Sequence, residues 1–143
     1  MVHSFPTRRS SDLGDAVVLR PAFTQAEAVA LYRGAHVLLH PKYHDPCPTV
    51  VIEALACGLP VVGSRSGGLP ELVGNDGGSL IDVPLSWDAA SPPDPARMAE
   101  AVIRLMTDWP AYHAAARIRA QRLFDAERWV AEHRQIFEQV LES

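Results

Sequence analysis

Lys42 to Val62 reads K-Y-H-D-P-C-P-T-V-V-I-E-A-L-A-C-G-L-P-V-V, and the fold turns on how these residues divide. Three prolines, at 41, 46 and 48, punctuate a loop that runs up to Pro48. Thr49 to Cys57 then has the length and apolar content of a helix, stopped by Gly58 and Pro60. Pro60 to Gly63 reads as a strand, and His36 to His40, before the loop, as another short buried strand. Strand, loop, helix and strand in this order make a βαβ unit. Such a unit sets the backbone of Pro46 to Val50 at the C-terminal edge of a parallel sheet, where doubly wound folds bind their ligands.

The alternation continues on both sides. Upstream, Ala16 to Leu19 is expected to be a first strand closed by Pro21. Thr24 and Glu27 have capping-box spacing for a helix from Gln25 to Arg33 that ends at Gly34. Downstream, Ser64 to Gly68 is a tight loop leading into a short helix, Pro70 to Val73, and Ser79 to Val83 is the last strand. Asp94 and Pro95 mark another helix start, as cap and first-turn residue. Ala96, Ala99, Val102, Leu105 and Met106 are expected to line its buried face. Pro110 to Phe124 and Glu127 to Leu141 carry helical spacing too. The fold class is therefore α/β, a single Rossmann-like doubly wound parallel sheet followed by C-terminal helices.

With 143 residues and 48% hydrophobic content, the chain can build one domain with a real core. A net charge of -4 with no basic run leaves no footprint for nucleic acid or an anionic membrane. No apolar stretch reaches the roughly 20 residues of a membrane span, and the N-terminus lacks a signal peptide's apolar core. The expectation is a cytoplasmic protein without a transmembrane segment. Cys47 and Cys57 sit at opposite ends of one helix, too far apart to bridge. His36, His40 and His44 lack a further ligand at metal spacing, so no metal is expected. Trp87, Trp109 and Trp129 read as packing residues, Trp87 as a brace for the Pro-rich segment. Arg65 reads as a solvated loop residue.

Ser4 to Leu13 resembles the in-frame translation of a sequencing-library adapter. Residues 1–13 are therefore expected to be a scar, with the domain running from residue 14 to 143 and upstream sequence expected to be lacking.

The helix Thr49 to Cys57 is apolar nearly all round, which predicts burial, and it carries one charge, Glu53. A buried carboxylate needs a partner. An internal donor would serve; so would a pair of ligand hydroxyls, such as those of a ribose. The N–H groups of Thr49, Val50 and Val51 and the helix dipole suit a phosphate, whereas Pro48 has no N–H to offer. Thr49 lies one turn before Glu53, so phosphate and ribose sites would be neighbours.

These residues resemble family-4 glycosyltransferases, whose signature is an acidic pair separated by seven residues and followed by E-A-x-A-x-G-x-P-V-V. Here the pair is Asp45 and Glu53, with E-A-L-A-C-G-L-P-V-V from Glu53 to Val62 and a family-like G-G-L-P-E-L-V from Gly67 to Val73. The likeness implies the C-terminal donor-binding half of a retaining enzyme with two Rossmann-like domains. In it Glu53 holds the ribose of a nucleotide sugar and Asp45 touches hydroxyls of the transferred sugar. Cys47, Thr49, Val50, Gly67 and Gly68 line the donor site, and Arg20 and Pro21 lie near the base. The family usually has Glu where Asp45 stands, and often Gly where Pro21 stands.

No cofactor is implied beyond the nucleotide sugar itself. The acceptor domain, and the basic residues that stabilise the leaving diphosphate, would belong to the missing N-terminal part, leaving this piece inactive alone. Glu127 to Leu141 would cross towards that part, its apolar face partly uncovered. Two other readings stay open, a nucleotide-sugar epimerase of similar architecture and a non-catalytic nucleotide-binding module; the Asp45 to Glu53 spacing speaks against the first.

Overall fold

Three short strands, β1 (Leu38–His40), β2 (Val61–Ser64) and β3 (Gly78–Ile81), form a parallel sheet in the order β1-β2-β3. The computed structural model describes residues 16–18, 20 and 22–142. Leu38 pairs with Val61 and His40 with Gly63 on one side of β2; Val61 pairs with Gly78 and Ser64 with Ile81 on the other. All four β2 residues are buried, as a strand covered on both faces must be, which is why its sequence is a run and not an alternation.

Successive β2 side chains point to opposite faces and so divide the core. Val61 packs with Val51, Leu55, Leu69, Val73, Leu80 and Ala116, from α2 (Thr49–Ala56), α3 (Leu69–Val73), β3 and α5 (Trp109–Leu123). Val62 packs with Ile81 and with Met98, Ala101 and Leu105 of α4 (Pro95–Met106). With helices on both faces, the sheet is doubly wound and Rossmann-like, as the alternation predicts. A third cluster, Ala28, Tyr32, Ala54 and Leu59, ties α1 (Gln25–Arg33) to α2.

Helix starts follow the expected chemistry. The Glu27 carboxylate accepts the Thr24 N–H at 2.8 Å and the Thr24 hydroxyl at 2.7 Å. The backbone bond first, then the hydroxyl, holds the Glu27 carboxyl below its ordinary range. Asp94 caps α4 by accepting from Ala96 N at 2.7 Å and Arg97 N at 3.4 Å, with Pro95 in the first turn.

Three expectations need correction. Ala16 to Val18 form no strand, and Val17 and Val18 are exposed; Leu19 and Pro21 lie outside the described residues. A short apolar run carries no information about its pairing partner, and these residues take no place beside β1. His36 precedes β1 and is exposed, because pairing begins at Leu38, whose N–H donates to the Pro60 carbonyl at 2.9 Å. The buried stripe of α4 is Met98, Ala101 and Leu105, while Ala96, Ala99 and Met106 face out. Both stripes have helical spacing, and only the sheet beneath decides between them. No residue of α6 (Ala126–Leu141) is fully buried, and Trp129, Val130 and Ile136 are about half exposed, an apolar face partly uncovered as expected.

Arg119 is a core residue that the sequence pattern hides. From within α5 its Nε donates to the Leu72 carbonyl, Nη2 to the Glu71 carbonyl and Nη1 to Asp76 Oδ1, each at 2.7 Å. The guanidinium thereby satisfies carbonyls at the end of α3, which would otherwise be orphaned. Because Leu55 is fully buried where the first core cluster closes, Leu55→Ala is expected to cost about 2 to 5 kcal/mol. Ile103→Ala, on an exposed position, should stay within about 0.5 kcal/mol. Chemical denaturation midpoints compare the two.

Candidate functional site

The loops that leave the C-terminal ends of β1, β2 and β3 converge. In the first of them Asp45 is buried, at 9% exposure, with Oδ2 lying 3.1 Å from Lys42 Nζ and 3.2 Å from His40 Nε2, the latter off the line of a hydrogen bond. The second loop brings Gly67 and Gly68 onto the same segment. Gly68 N–H donates to the Asp45 carbonyl at 2.8 Å, and Gly67 has a left-handed φ of 59°. A β-carbon at Gly67 would overlap the Asp45 carbonyl oxygen, and one at Gly68 would overlap that of Pro46. Ser66 Oγ accepts the His44 N–H at 3.1 Å and also bonds Ser64 Oγ.

The third loop is pinned to the first by aromatic rings. Tyr43 OH donates to the Pro84 carbonyl at 2.7 Å and accepts the Ser86 N–H at 2.7 Å. The His44 ring stacks on Trp87 at 4.4 Å between centroids, from a backbone φ of 51°. Trp87 is thus no core residue, being 90% exposed, but it does brace the Pro-rich segment. Arg65, half-exposed, pairs with Asp82 at 2.7 Å. The three histidines that lie close in sequence go to separate partners: His36 to Trp109, His40 to Asp45 and His44 to Trp87.

At the start of α2 the Val51 N–H turns back to the Pro48 carbonyl at 3.0 Å, so it is not free as the sequence suggests. Thr49 and Val50 keep N–H groups with no acceptor among the described residues. Cys47, two residues earlier, is exposed and reduced, and Cys57 ends the helix, also reduced. One turn into the helix, Glu53 is exposed. This corrects the expectation of burial: Val51, Ala54 and Leu55 are fully buried and Val50, Ile52 and Ala56 pack partly buried against the core, so the exposed side of α2 is the one that carries Thr49 and Glu53. Glu53 borders a small cleft of about 180 Å³ between α1 and α2, with Tyr32, Ala28 and Val29. Tyr32 OH donates to Glu53 Oε2 at 2.8 Å.

Chains of similar sequence and shape are glycosyltransferases. The profile described as "Glycosyl transferases group 1" matches residues 5–108. The chain belongs to this family. A D-inositol 3-phosphate glycosyltransferase of Kineococcus radiotolerans is 34% identical over 134 residues, covering 86% of this chain and 28% of that protein. Another, of Streptomyces bingchenggensis, is 46% identical over 72 residues, half of this chain and 16% of that one. The structure is similar to a sucrose-phosphate synthase from Thermosynechococcus elongatus, with a TM-score of 0.76 and 30% identity over 93% of this chain and 32% of that chain. The chain therefore spans less than a third of each of these relatives.

For a member of the glycosyl transferases group 1 family, the arrangement brings together most of the residues singled out by sequence. Asp45, Gly67 and Gly68 are in contact, and Cys47, Thr49, Val50 and Glu53 follow from the same loop into α2. Arg20 is not part of this group. It lines a separate hollow with Ala22, Phe23, Glu27, Ala30 and Leu31, on residues of α1 other than those bordering the Glu53 cleft. Pro21 lies outside the described residues. A wider hollow, about 700 Å³ between Leu39, the prolines at 92, 93 and 95 and α4, is apolar but for Asp94, so it offers no grip on a phosphate. Among the described residues no three His, Cys, Asp or Glu side chains group as metal ligands, and no helix is long and apolar enough to cross a membrane.

Sequence reasoning missed Tyr32, His40, Lys42 and His44. Lys42 stands three residues before Asp45, a spacing that signals an ion pair; the others are recognisable only in three dimensions. Two expectations follow. Gly68 has an ordinary φ of -86°, so Gly68→Ala isolates close approach from backbone strain, and it should destabilise by about 1 to 3 kcal/mol in thermal or chemical unfolding. Burial first, then the bond to the Glu53 carboxylate, pushes the Tyr32 phenol up to about 12 from its ordinary 10.0. A raised folded value means that the contribution is whole below pH 10 and lost as pH rises through 12. The stability gap between wild type and Tyr32→Phe should accordingly close across that window, measured by urea unfolding at stepped pH.

Proposed function

We propose that this chain is the donor-binding half of a retaining, nucleotide-sugar-dependent glycosyltransferase of the family-4 type, working without a bound metal. One juxtaposition supports the reading: two unpaired N–H groups at the start of α2, an exposed carboxylate one turn along it, and a second carboxylate pinned beside the glycine pair. Diphosphate, ribose and sugar are the three parts of a nucleotide sugar, and the three features suit them in that order.

In this reading the distal phosphate lies against Thr49 and Val50, with Cys47 beside them, where N–H groups and helix dipole oppose its charge. The same groups favour the leaving diphosphate as charge builds on it in the transition state. Glu53 accepts two ribose hydroxyls. Asp45, whose Oδ2 is engaged by Lys42 and His40, turns its other oxygen to hydroxyls of the transferred sugar, and Gly67 and Gly68 keep that wall free of side chains. Acceptor binding falls to the two thirds or more of the relatives' length that this chain does not match, so the 143-residue chain binds donor without transferring it.

Calorimetric titration with nucleoside diphosphates tests the assignment. Charge-assisted hydrogen bonds contribute about 1.5 to 3 kcal/mol, so Glu53→Gln should weaken binding on the order of tenfold to a hundredfold. Asp45→Asn should matter less for a ligand that carries no sugar. Circular dichroism first establishes that each variant is folded. Wild-type affinity in folded Glu53→Gln would overturn the ribose assignment.

A further inference from the structure

Glu53 stands on the outward side of α2, and among the described residues no Lys or Arg lies within ion-pair distance of it. Its one described side-chain bond is to Tyr32, whose ring is buried against Ala28, Ala54 and Leu59 and whose hydroxyl reaches Oε2 at 2.8 Å. An exposed glutamate on a helix ordinarily samples several rotamers. This one is tethered to a group whose ring is packed between two helices, with far fewer positions open to it than a free side chain.

A phenol has a single proton to give, and donating it to Oε2 restrains where that oxygen can lie. The tether uses one of about four acceptor positions on the carboxylate and leaves Oε1 wholly available. Two vicinal hydroxyls can then be received without first ordering the side chain, which is how pre-organisation strengthens binding. Resting on the ribose assignment of Glu53, we propose that Tyr32 is a positioning residue that aims Glu53 at the vicinal diol of the donor's ribose and thereby sets the preference for ribo- over 2′-deoxyribonucleotides.

Tyr32→Phe removes the hydroxyl and keeps the ring, so the packing between α1 and α2 is retained. The test measures Kd for a nucleoside diphosphate and for its 2′-deoxy counterpart, with the wild-type chain, Tyr32→Phe and Glu53→Gln, after circular dichroism and unfolding have established that each is folded. Tyr32→Phe is expected to weaken the ribonucleotide by about three- to tenfold while leaving the deoxynucleotide nearly unchanged, so the preference narrows. A purely structural role would lower both affinities in parallel, and that result overturns the proposal. If Glu53→Gln removes the preference and Tyr32→Phe leaves it intact, the positioning role fails while the ribose assignment stands. If wild type shows no preference, or Glu53→Gln keeps it, the ribose assignment fails and takes the positioning role with it.

Discussion

At the C-terminal edge of the sheet, two loop backbones approach more closely than side chains with β-carbons would permit. Gly67 and Gly68 lie on the carbonyls of Asp45 and Pro46, and one hydrogen bond, Gly68 N–H to the Asp45 carbonyl, joins them. That contact locks the loop after β1 to the loop after β2. The direction in which α2 starts, the burial of Asp45 and the seating of His44 on Ser66 all depend on it. The third loop is then held through Tyr43, His44 and Trp87, side chains whose own backbone the glycine contact has already fixed.

The two carboxylates of the site meet opposite electrostatic conditions. Asp45 is taken out of water and needs Lys42 and His40 beside it, since an unpaired buried charge is costly. Glu53 stays in water, steadied among the described residues by one phenol and no cation. A group whose charge is already matched contributes shape and fixed orientation. One whose charge is unmatched keeps its capacity for a ligand. The division is enforced by position: Asp45 sits under the glycine pair, whereas Glu53 projects from the side of α2 away from Val51, Ala54 and Leu55.

Element order was legible from the pattern of prolines, glycines and apolar runs, and helix starts such as Asp94-Pro95 were legible from capping chemistry. Choices between equivalent stripes were not. The α4 sequence offers two apolar faces, and the residues that win are those over Val62 and Ile81, a fact of tertiary packing. Glu53 was misjudged for a related reason, since an apolar helix is buried all round only if something covers every side. Asp45 was singled out by the family resemblance, but the bond from Tyr32 to Glu53 spans 21 residues and leaves no periodic trace. Arg119 reads as a surface charge until the ends of α3 are seen to need donors.

Among the described residues, none of helix α6 belongs to the core clusters that make the other helices cooperative. Its first turns are held locally, by the Arg128 N–H donating to the Asp125 cap at 2.8 Å, the Arg128–Glu132 pair, the Arg128 bond to the Arg122 carbonyl and the stacking of His133 on Trp129. Local bonds of this kind do not couple a segment to global unfolding. Amide protons of α6 therefore exchange through helix–coil opening of the segment itself, while those of β2 wait for the whole domain to open. The molecule thus has two levels of protection against exchange, and the boundary between them falls at Phe124, the last residue packed against the core before α6 begins.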